Sequence, residues 1–472
     1  MLTNIKRLSF QDPDGFVFSF DQKIYRVVLE TYADDLTKLK SSALWNSDRL
    51  LKQTQTDLYQ LPDKVIEWIY QQLNNNRFLA VFELDKLEFI TYPWEWTPLM
   101  LRQAADFTLT LQEDLIKDGL TLKDASFYNV QFISGKPVFV DMLSVKRVDG
   151  NIYPWFAYGQ FLQHFVFPLI LIKYGSFETL QFLQAYPQGI SKTEVVRHVP
   201  LRSYFSVFEL LHIHLFKQLN ADPVSTKKLT SGYTQNQQIQ KMQQLLGFAK
   251  RYVRTLLRKG NLATGHWANY YAEDTSALYC DRKKEVFKGF LTQTGRVEKA
   301  VDLGANTGVY SQIMVKYAAN LLSVEADSAC CEMIYNNIYA SREGNCKWQL
   351  VCNDLLLPSP AVGWLNQERQ SLIQRLRSSL VAALALIHHI YFSGSIDFVQ
   401  IAEFFTTITE KYLIVEFVDR EDEKVILLAQ KNPTRFLNYN ETKFLDAMAC
   451  HFITKSREVL AANRYLFLLE KR

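Results

Sequence analysis

The sequence predicts an α+β N-terminal half and, in the C-terminal half, a Rossmann-like, mostly parallel α/β sheet of seven strands. Three observations support this prediction. After residue 280, apolar runs of strand length alternate with segments of helix length, which is typical of βαβ units. A glycine-rich turn follows the first of these strands. Residues 218–240 lose the apolar period and are rich in Asn, Gln, Ser and Thr, which indicates a linker.

The length and composition indicate a globular protein of more than one domain. A chain of 472 residues is too long for one hydrophobic core. Its 48% apolar and 22% charged residues are ordinary for a folded protein. We therefore expect an α+β domain over 1–217, a linker and connecting helix over 218–260, and an α/β domain over 261–472.

The net charge, the cysteine spacing and the apolar runs limit the kinds of partner and the cellular compartment that the sequence predicts. The net charge is only +4 and no run of five Lys or Arg occurs, which argues against a dedicated nucleic-acid binder. The six cysteines form no C-x-x-C pair and no ligand-like spacing with His, so we expect no metal site. The first residues lack an apolar signal region, and the longest apolar run, 165–172, is too short to span a bilayer. These features predict a cytoplasmic protein.

The N-terminal half is predicted to begin with a β-hairpin and to continue with helices. The β-rich runs 15–20 and 23–30 flank a turn-forming Asp-Gln pair and predict a β-hairpin. Residues 35–53 have helical spacing, and 99–118 predict a long amphipathic helix that a glycine ends. The aromatic-rich stretch 152–217 is also expected to be helical.

The C-terminal half contains seven segments with the length and apolar content of strands. Helix-length segments separate most of them, so the strands are expected to form one open sheet. The predicted strands are 298–303, 320–326, 347–352, 380–387, 411–417, 450–457 and 464–470.

The strongest functional signal is the stretch AVDLGANTGVYSQIM, which runs from the first of these strands into a helix. It places Asp302 at the strand end and Gly304, Asn306 and Gly308 in the turn. Glycines are needed where the backbone turns sharply and a ligand lies against it. The second strand ends in Glu325, whose carboxylate can accept both hydrogen bonds of a ribose diol. A nicotinamide dinucleotide site has the same layout, but here the turn reads D-L-G-A-N-T-G and not G-x-G-x-x-G.

This variant resembles motif I of class I S-adenosylmethionine-dependent methyltransferases, and the resemblance extends through 300–472. It implies S-adenosylmethionine as the cofactor, with Asp302 holding its methionine end. The turn from Gly304 to Gly308 would wrap the cofactor, and Glu325 would bind the ribose. Asp354, at the end of the third strand, would face the adenine amino group.

Candidates for acceptor chemistry lie near the fourth strand and before the first. The run SSLVAALALIHHI is expected to end in His388 and His389 at the carboxyl edge of the sheet, where open α/β sheets bind ligands. A histidine there could take a proton from an oxygen or nitrogen nucleophile, or it could simply cap the strand. In this superfamily a segment before the first strand often folds over the cofactor, which makes Tyr271 and its neighbour Tyr270 candidate contacts.

A long insertion follows the third strand, where a shorter connection is usual. Residues 358–371 contain Pro, Gly and Trp and predict a shaped loop over the sheet edge. Trp364 and Arg369 are its candidate substrate contacts. The alternative is a surface excursion with no role in binding.

The N-terminal stretch KDASFYNVQFISGKPVFVDML carries a second pattern. Asp124, Asn129 and Asp141 have the spacing of the catalytic base and the metal ligands of protein kinases and antibiotic phosphotransferases, and the region resembles a kinase-like fold. The H-R-D and D-F-G motifs, a glycine-rich phosphate loop and a convincing strand lysine are missing. The region is therefore an active phosphotransferase, a degenerate domain that binds substrate or nucleotide, or a structural element.

Three stretches, KDASFYNVQF, PSPAVGW and LALIHH, are similar to a bacterial group of long methyltransferases around rhizobial nodulation host-specificity proteins. The resemblance implies methyl transfer to an oxygen or nitrogen nucleophile and leaves the acceptor and the oligomeric state open. A carbohydrate, a peptide or a small metabolite is favoured over RNA because the charge is mild. The alternatives are a bifunctional methyltransferase and phosphotransferase, and a non-catalytic scaffold that binds the cofactor.

Overall fold

The structure is a computed structural model, and the chain forms two compact units. The second unit takes in Glu88–Thr91 and Ile133–Lys136 besides the described part of the C-terminal half. The domain boundaries at 217 and 260 remain predictions, because they fall in or next to residues outside the described ranges. The described residues are 5–10, 12–73, 76–150, 152–175, 179–215, 233–257, 277–341, 345–430 and 433–472.

The first unit contains a five-stranded antiparallel sheet whose order is β1-β2-β3-β5-β4. The predicted hairpin is present, since β2 and β3 pair across Asp21 and Gln22, which both have positive φ. Two smaller pairs, β6 with β9 and β7 with β8, follow. The strands are β1 (Ile5–Arg7), β2 (Gly15–Phe20), β3 (Lys23–Leu29), β4 (Gln53–Thr56), β5 (Phe78–Leu84), β6 (Leu120–Leu122), β7 (Val130–Ile133), β8 (Lys136–Phe139) and β9 (Val145–Arg147).

The helices of the first unit match the expected pattern except after residue 40. The helix expected over 35–53 ends at Lys40, because the hydroxyls of Ser41 and Ser42 donate to carbonyls of the last turn. π-helical turns at Leu162–Val166 and Leu210–Leu215 interrupt the later helices. The helices are α1 (Ala33–Lys40), α2 (Asp63–Gln72), α3 (Pro98–Lys117), α4 (Tyr158–Phe161), α5 (Phe167–Lys173), α6 (Lys192–His198), α7 (Val207–Glu209) and α8 (Gln235–Thr255).

Basic side chains of α8 are paired with acids of α3. Lys250 lies 2.7 Å from Glu113, and Arg254 lies 2.8 Å from Asp106. These ion pairs satisfy the two charges locally.

The second unit is built on the expected seven-stranded sheet, with strand order β12-β11-β10-β13-β14-β16-β15. Only β16 runs antiparallel to the rest, since it pairs antiparallel with both β14 and β15. Most of the strands are almost wholly apolar, as expected where helices cover both faces of a sheet. The strands are β10 (Val297–Leu303), β11 (Ala318–Glu325), β12 (Lys347–Cys352), β13 (Ser378–Ala383), β14 (Thr409–Val418), β15 (Phe452–Ala461) and β16 (Arg464–Lys471).

The fourth strand of this sheet is shorter than predicted. It ends at Ala383, because Ala385 has a φ of 50° and turns the chain into a helix. His388 and His389 therefore lie in that helix, and the prediction that they end the strand was wrong. The helices are α9 (Ala277–Thr294), α10 (Val309–Met314), α11 (Ser328–Ala340), α12 (Leu372–Arg375), α13 (Ile387–Ser393), α14 (Phe398–Ile408), α15 (Glu423–Ala429), α16 (Pro433–Phe436) and α17 (Glu441–Ala449).

Two short segments from early in the sequence complete the second unit. Phe89 is buried in its main apolar cluster, and the Ile90 carbonyl accepts a hydrogen bond from Arg375. The Tyr335 hydroxyl donates to the Gly135 carbonyl at 2.9 Å. The core of the second unit is thus not continuous in sequence.

Within the described ranges, no helix combines the length and the apolar character needed to cross a bilayer. The cytoplasmic location stays a prediction.

Candidate ligand-binding site at the sheet edge

A cavity of about 230 Å³ lies where β10, β11, β12 and β13 end. The strand order reverses here, because the chain moves from β10 to one side of the sheet and returns to β13 on the other. Open α/β sheets bind ligands in the crevice at such a reversal. The cavity is lined by Gly304, Asn306, Val324, Glu325, Ala326, Asn353, Asp354, Leu355, Leu356, Leu384, Ala385, Leu386, His389, Ile390 and Ser393.

The turn after β10 forms the floor of the cavity. Gly304 has a φ of 66°, and a Cβ there would lie 3.2 Å from the Leu386 side chain. Asn306 also has a positive φ, which asparagine tolerates better than most residues. The turn is held to the sheet because the Gly304 amide donates to the Val324 carbonyl at 2.9 Å. The expected close approach of bare backbone to a ligand is therefore possible here.

Glu325 lines the cavity and also organises the turn. Its carboxylate accepts hydrogen bonds from the backbone amides of Asn306 at 2.7 Å, Ala326 at 2.7 Å and Asp327 at 2.8 Å. Burial raises the pKa of Glu325, while these three donors act in the opposite direction. Because two of the three donors share Oε1, Oε2 is the oxygen with more free capacity for a ligand.

Asp302 and Gly308 are not among the residues that line the cavity. The Asp302 carboxylate accepts from the Ser311 hydroxyl at 2.5 Å, and burial raises its pKa to about 7. Gly308 precedes α10, and a Cβ there would lie 3.1 Å from Ile334. Both residues shape the turn, so a direct ligand contact for them stays a prediction.

The end of β12 contributes two adjacent polar side chains. Asp354 lines the cavity, and its Oδ1 accepts from the Leu356 amide at 2.9 Å. Asn353 also lines the cavity and is 1% exposed. Its Nδ2 donates to Ser359 at 2.9 Å, whereas its Oδ1 has no hydrogen-bond partner among the described residues.

The two adjacent histidines have different environments. His389 lines the cavity, and burial lowers its pKa to about 4. His388 is fully buried outside the cavity lining, and neither ring nitrogen has a hydrogen-bond partner in the described structure. Burial lowers the pKa of His388 as well. Of the two, only His389 is brought to the candidate site.

The two predicted substrate contacts, Trp364 and Arg369, are not among the residues that line the cavity. Trp364 is 67% exposed in a loop closed by hydrogen bonds between Val362 and Arg369, and none of the three lines the cavity. A loop is present here, but its position over the sheet edge and its substrate contacts stay predictions. Tyr271, like Tyr270, lies outside the described residues.

In the first unit the three residues at phosphotransferase spacing do lie together. The Asn129 amide donates to the Ser144 hydroxyl at 3.0 Å and to the Asp124 carbonyl at 3.3 Å. Ser144 in turn donates to Asp141 at 2.6 Å. Asp141 also lies 3.1 Å from the buried guanidinium of Arg26 on β3. Burial raises the pKa of Asp124.

Sequence reasoning missed Asn353 and Arg26. Asn353 directly precedes the predicted acid at the end of a strand, where any polar side chain can face a ligand. Arg26 interrupts the apolar run of β3, and a charge inside a buried strand signals an ion pair. Across the described ranges, no group of three or more His, Cys, Asp or Glu side chains is placed to hold a metal ion.

The strand order and the cavity at the reversal define an open, doubly wound α/β sheet with a ligand-binding crevice in the C-terminal part of the chain. The chain is similar to nodulation protein NoeA of Rhizobium meliloti (strain 1021), with 28% identity over 468 residues, 98% of this chain and 94% of that protein. The expected similarity to rhizobial nodulation proteins is confirmed. No protein-family model matches the chain.

Three similar solved structures each cover less than half of the chain. The N-methyltransferase NodS from Bradyrhizobium japonicum WM9 matches 42% of this chain and 98% of its own at 7% identity and a TM-score of 0.31. Its complex with S-adenosyl-L-homocysteine matches 43% of this chain and 91% of its own at 10% identity and a TM-score of 0.30. The magnesium protoporphyrin IX methyltransferase ChlM from Synechocystis PCC 6803 with bound SAM matches 44% and 89% at 9% identity and a TM-score of 0.30.

Proposed function

We propose that the protein transfers a methyl group from S-adenosylmethionine to an oxygen or nitrogen nucleophile. The observation that carries this proposal is the cavity at the strand reversal, which has Gly304 on its floor and Glu325 at the end of β11. The acceptor is a carbohydrate, a peptide or a small metabolite in preference to RNA. The cytoplasmic location is part of the same proposal.

Three features of the cavity fit this cofactor. Gly304 offers bare backbone where a larger residue would fill the space. Glu325 keeps capacity on Oε2 to accept a hydrogen bond from a ribose hydroxyl. The apolar side chains of Leu355, Leu356 and Leu386 can cover the faces of a purine.

The bound cofactor would supply an electrophilic methyl group on a sulfonium. The chain's own residues orient the reactants and exclude water. Glu325 holds the turn after β10 in one conformation through its three backbone hydrogen bonds, so that the floor is formed in advance. The apolar wall from Leu384 to Leu386 limits the access of water to the same space.

Calorimetry with S-adenosylhomocysteine on the purified protein tests cofactor binding. We expect one site per chain, and an absence of binding would remove the proposal. Incubation with the radiolabelled cofactor and fractionated cell extract then identifies the acceptor, because only the fraction that holds it becomes labelled. Tight cofactor binding without labelling of any fraction would favour the non-catalytic scaffold.

We expect His389→Gln to lower the rate of methyl transfer by about 100-fold, as is typical for loss of a general base. His389 lines the cavity, and burial lowers its pKa to about 4, so the imidazole is unprotonated at neutral pH but is a weaker base than a free histidine. The rate of the wild type should therefore be flat above about pH 5 and fall near pH 4, where the imidazole becomes protonated.

The rates are measured on the labelled fraction. His388→Gln is the matched variant, because His388 lies in the same helix but outside the cavity lining. Unchanged rates in both variants would exclude a histidine base. An equal loss in both would assign the effect to the helix and not to proton transfer.

For the N-terminal unit we propose a degenerate kinase-like domain that binds substrate or a partner. The cluster of Asp124, Asn129 and Asp141 supports a phosphotransferase ancestry. The ion pair between Arg26 and Asp141 argues against a working metal site, because a guanidinium 3.1 Å away competes with a cation for the same carboxylate.

We expect calorimetry with ATP to show no magnesium-dependent binding, since Asp141 is already engaged by Arg26 and Ser144. Titrations with magnesium and with EDTA should therefore agree. Binding that requires magnesium and is lost in Asp141→Asn would instead support the bifunctional alternative.

A further inference from the structure

An exposed apolar patch lies in the first unit between residues 196 and 207. Leu201 is 82% exposed and Phe205 is 91% exposed, so both side chains protrude from the surface. Single exposed apolar residues are common in proteins, whereas several in one short stretch mark an interaction surface. The exposed apolar side chains of this stretch are Val196, Leu201, Tyr204, Phe205 and Val207.

Buried contacts hold the patch in one conformation. Its central part, Leu201–Phe205, is a short 3₁₀ helix whose middle residue, Ser203, is buried. The Ser203 hydroxyl lies 2.8 Å from Nε2 of His214, and the ring of Tyr204 stacks on the same imidazole. The apolar side chains are therefore presented by an ordered turn, so a partner can bind without first ordering it.

The charge around the patch is basic. Residues 192–207 contain Lys192, Arg197 and Arg202 but only one acid, Glu194, which lies 3.3 Å from Arg197. The Arg202 guanidinium lies over the ring of Tyr174 at 5.0 Å from its centre, and no acid in the described part of the chain pairs with it. This excess of positive charge favours an anionic partner.

The shape of the patch favours a lipid surface over a protein. A protein partner would need pockets that match the protruding side chains of Leu201 and Phe205. The acyl region of a bilayer accepts apolar side chains of any shape, and tyrosine and arginine suit the headgroup level next to it. Anionic headgroups also attract basic residues that lie near the surface.

We propose that the first unit binds the surface of a membrane that contains anionic lipid. Leu201 and Phe205 enter the boundary between the headgroups and the acyl chains, and Arg202 contacts the headgroups. The contact is peripheral and needs no membrane-spanning helix. It goes beyond the proposed methyl transfer and does not depend on the proposed cofactor.

Co-sedimentation of the purified chain with lipid vesicles tests the proposal. We expect binding to vesicles of equal parts phosphatidylglycerol and phosphatidylcholine, and about 10-fold weaker binding to pure phosphatidylcholine, where the basic residues lose their attraction. Added salt should weaken binding to the anionic vesicles, since it screens exposed charges. No binding to the anionic vesicles, or equal binding to both kinds, would overturn the proposal.

Two variants assign the binding to the patch. Leu201→Ser and Phe205→Ser should each lower the affinity for the anionic vesicles by at least about 10-fold, because each removes an apolar side chain from the lipid. Tyr59→Ser is the matched control, since Tyr59 is 88% exposed in the same unit but outside the patch, and it should bind as the wild type does. Unchanged affinity in both patch variants, or an equal loss in Tyr59→Ser, would contradict the assignment.

Two further measurements separate the alternatives. The three substituted side chains are exposed, so we expect every variant to keep the urea midpoint of the wild type. Sedimentation equilibrium without vesicles shows whether a second copy of the chain covers the patch instead. A wild-type dimer that becomes a monomer in Phe205→Ser would assign the patch to self-association and overturn the proposal.

Discussion

Gly304→Val is expected to lower the affinity for S-adenosylhomocysteine by at least about 100-fold, because the new side chain enters the space that the ligand needs. A Cβ alone would already lie 3.2 Å from the side chain of Leu386, which also lines the cavity. The φ of 66° adds backbone strain of about 1–2 kcal/mol for any residue with a side chain. Calorimetry gives the affinity and a urea titration gives the free energy of unfolding.

Gly295→Val is the matched control for that strain. Gly295 has a φ of 69° and lies in the same unit, and no heavy atom lies within 4 Å of an added Cβ. We expect both variants to lose the free energy of unfolding that the strained φ costs, but only Gly304→Val to lose binding. A similar loss of affinity in both would attribute the effect to general destabilisation, and retained binding in Gly304→Val would place the ligand elsewhere.

Glu325→Ala should have an effect of comparable size for a different reason. It removes the proposed acceptor for the ribose and leaves three backbone amides of the turn without their carboxylate. Hydrogen bonds to a charged group contribute about 1.5–3 kcal/mol each, so we expect at least a 100-fold loss of affinity together with lower stability. Glu325→Gln should lose less, because its amide oxygen still accepts hydrogen bonds.

Asp397→Ala is the control for Glu325→Ala. It removes a carboxylate that caps a helix outside the cavity. The Asp397 carboxylate accepts from the Gln400 amide at the start of α14, and it does not line the cavity. Its removal should cost about 1 kcal/mol of stability and leave affinity unchanged.

Affinity within threefold of wild type in Glu325→Ala would contradict the ribose assignment.

The sequence was sufficient to predict the C-terminal sheet. Parallel strands that are covered on both faces appear in a sequence as apolar runs separated by helical segments. All seven strands were predicted, and errors occurred only at their ends. Gly304, Asn306, Glu325 and Asp354 line the cavity, and their contacts with a cofactor stay predictions. Each follows or ends a strand, which places it at the carboxyl edge of the sheet.

The errors arose where a local conformation or a distant partner decides the outcome. The left-handed conformation of Ala385 ends β13 early, and an alanine in the sequence does not indicate a positive φ. The orientation of Asp302 towards Ser311 depends on a contact across the turn. The ion pair of Arg26 with Asp141 joins residues 115 positions apart, and a local pattern cannot indicate it.

The position of β16 in the sheet has a consequence for how the protein is made. This strand is later in the chain than both β14 and β15, yet it lies between them and pairs with each. Until residues 464–471 have left the ribosome, β14 therefore presents an unpaired edge to the surroundings. Such edges recruit other chains, so the nascent polypeptide should depend on chaperones until that strand has emerged.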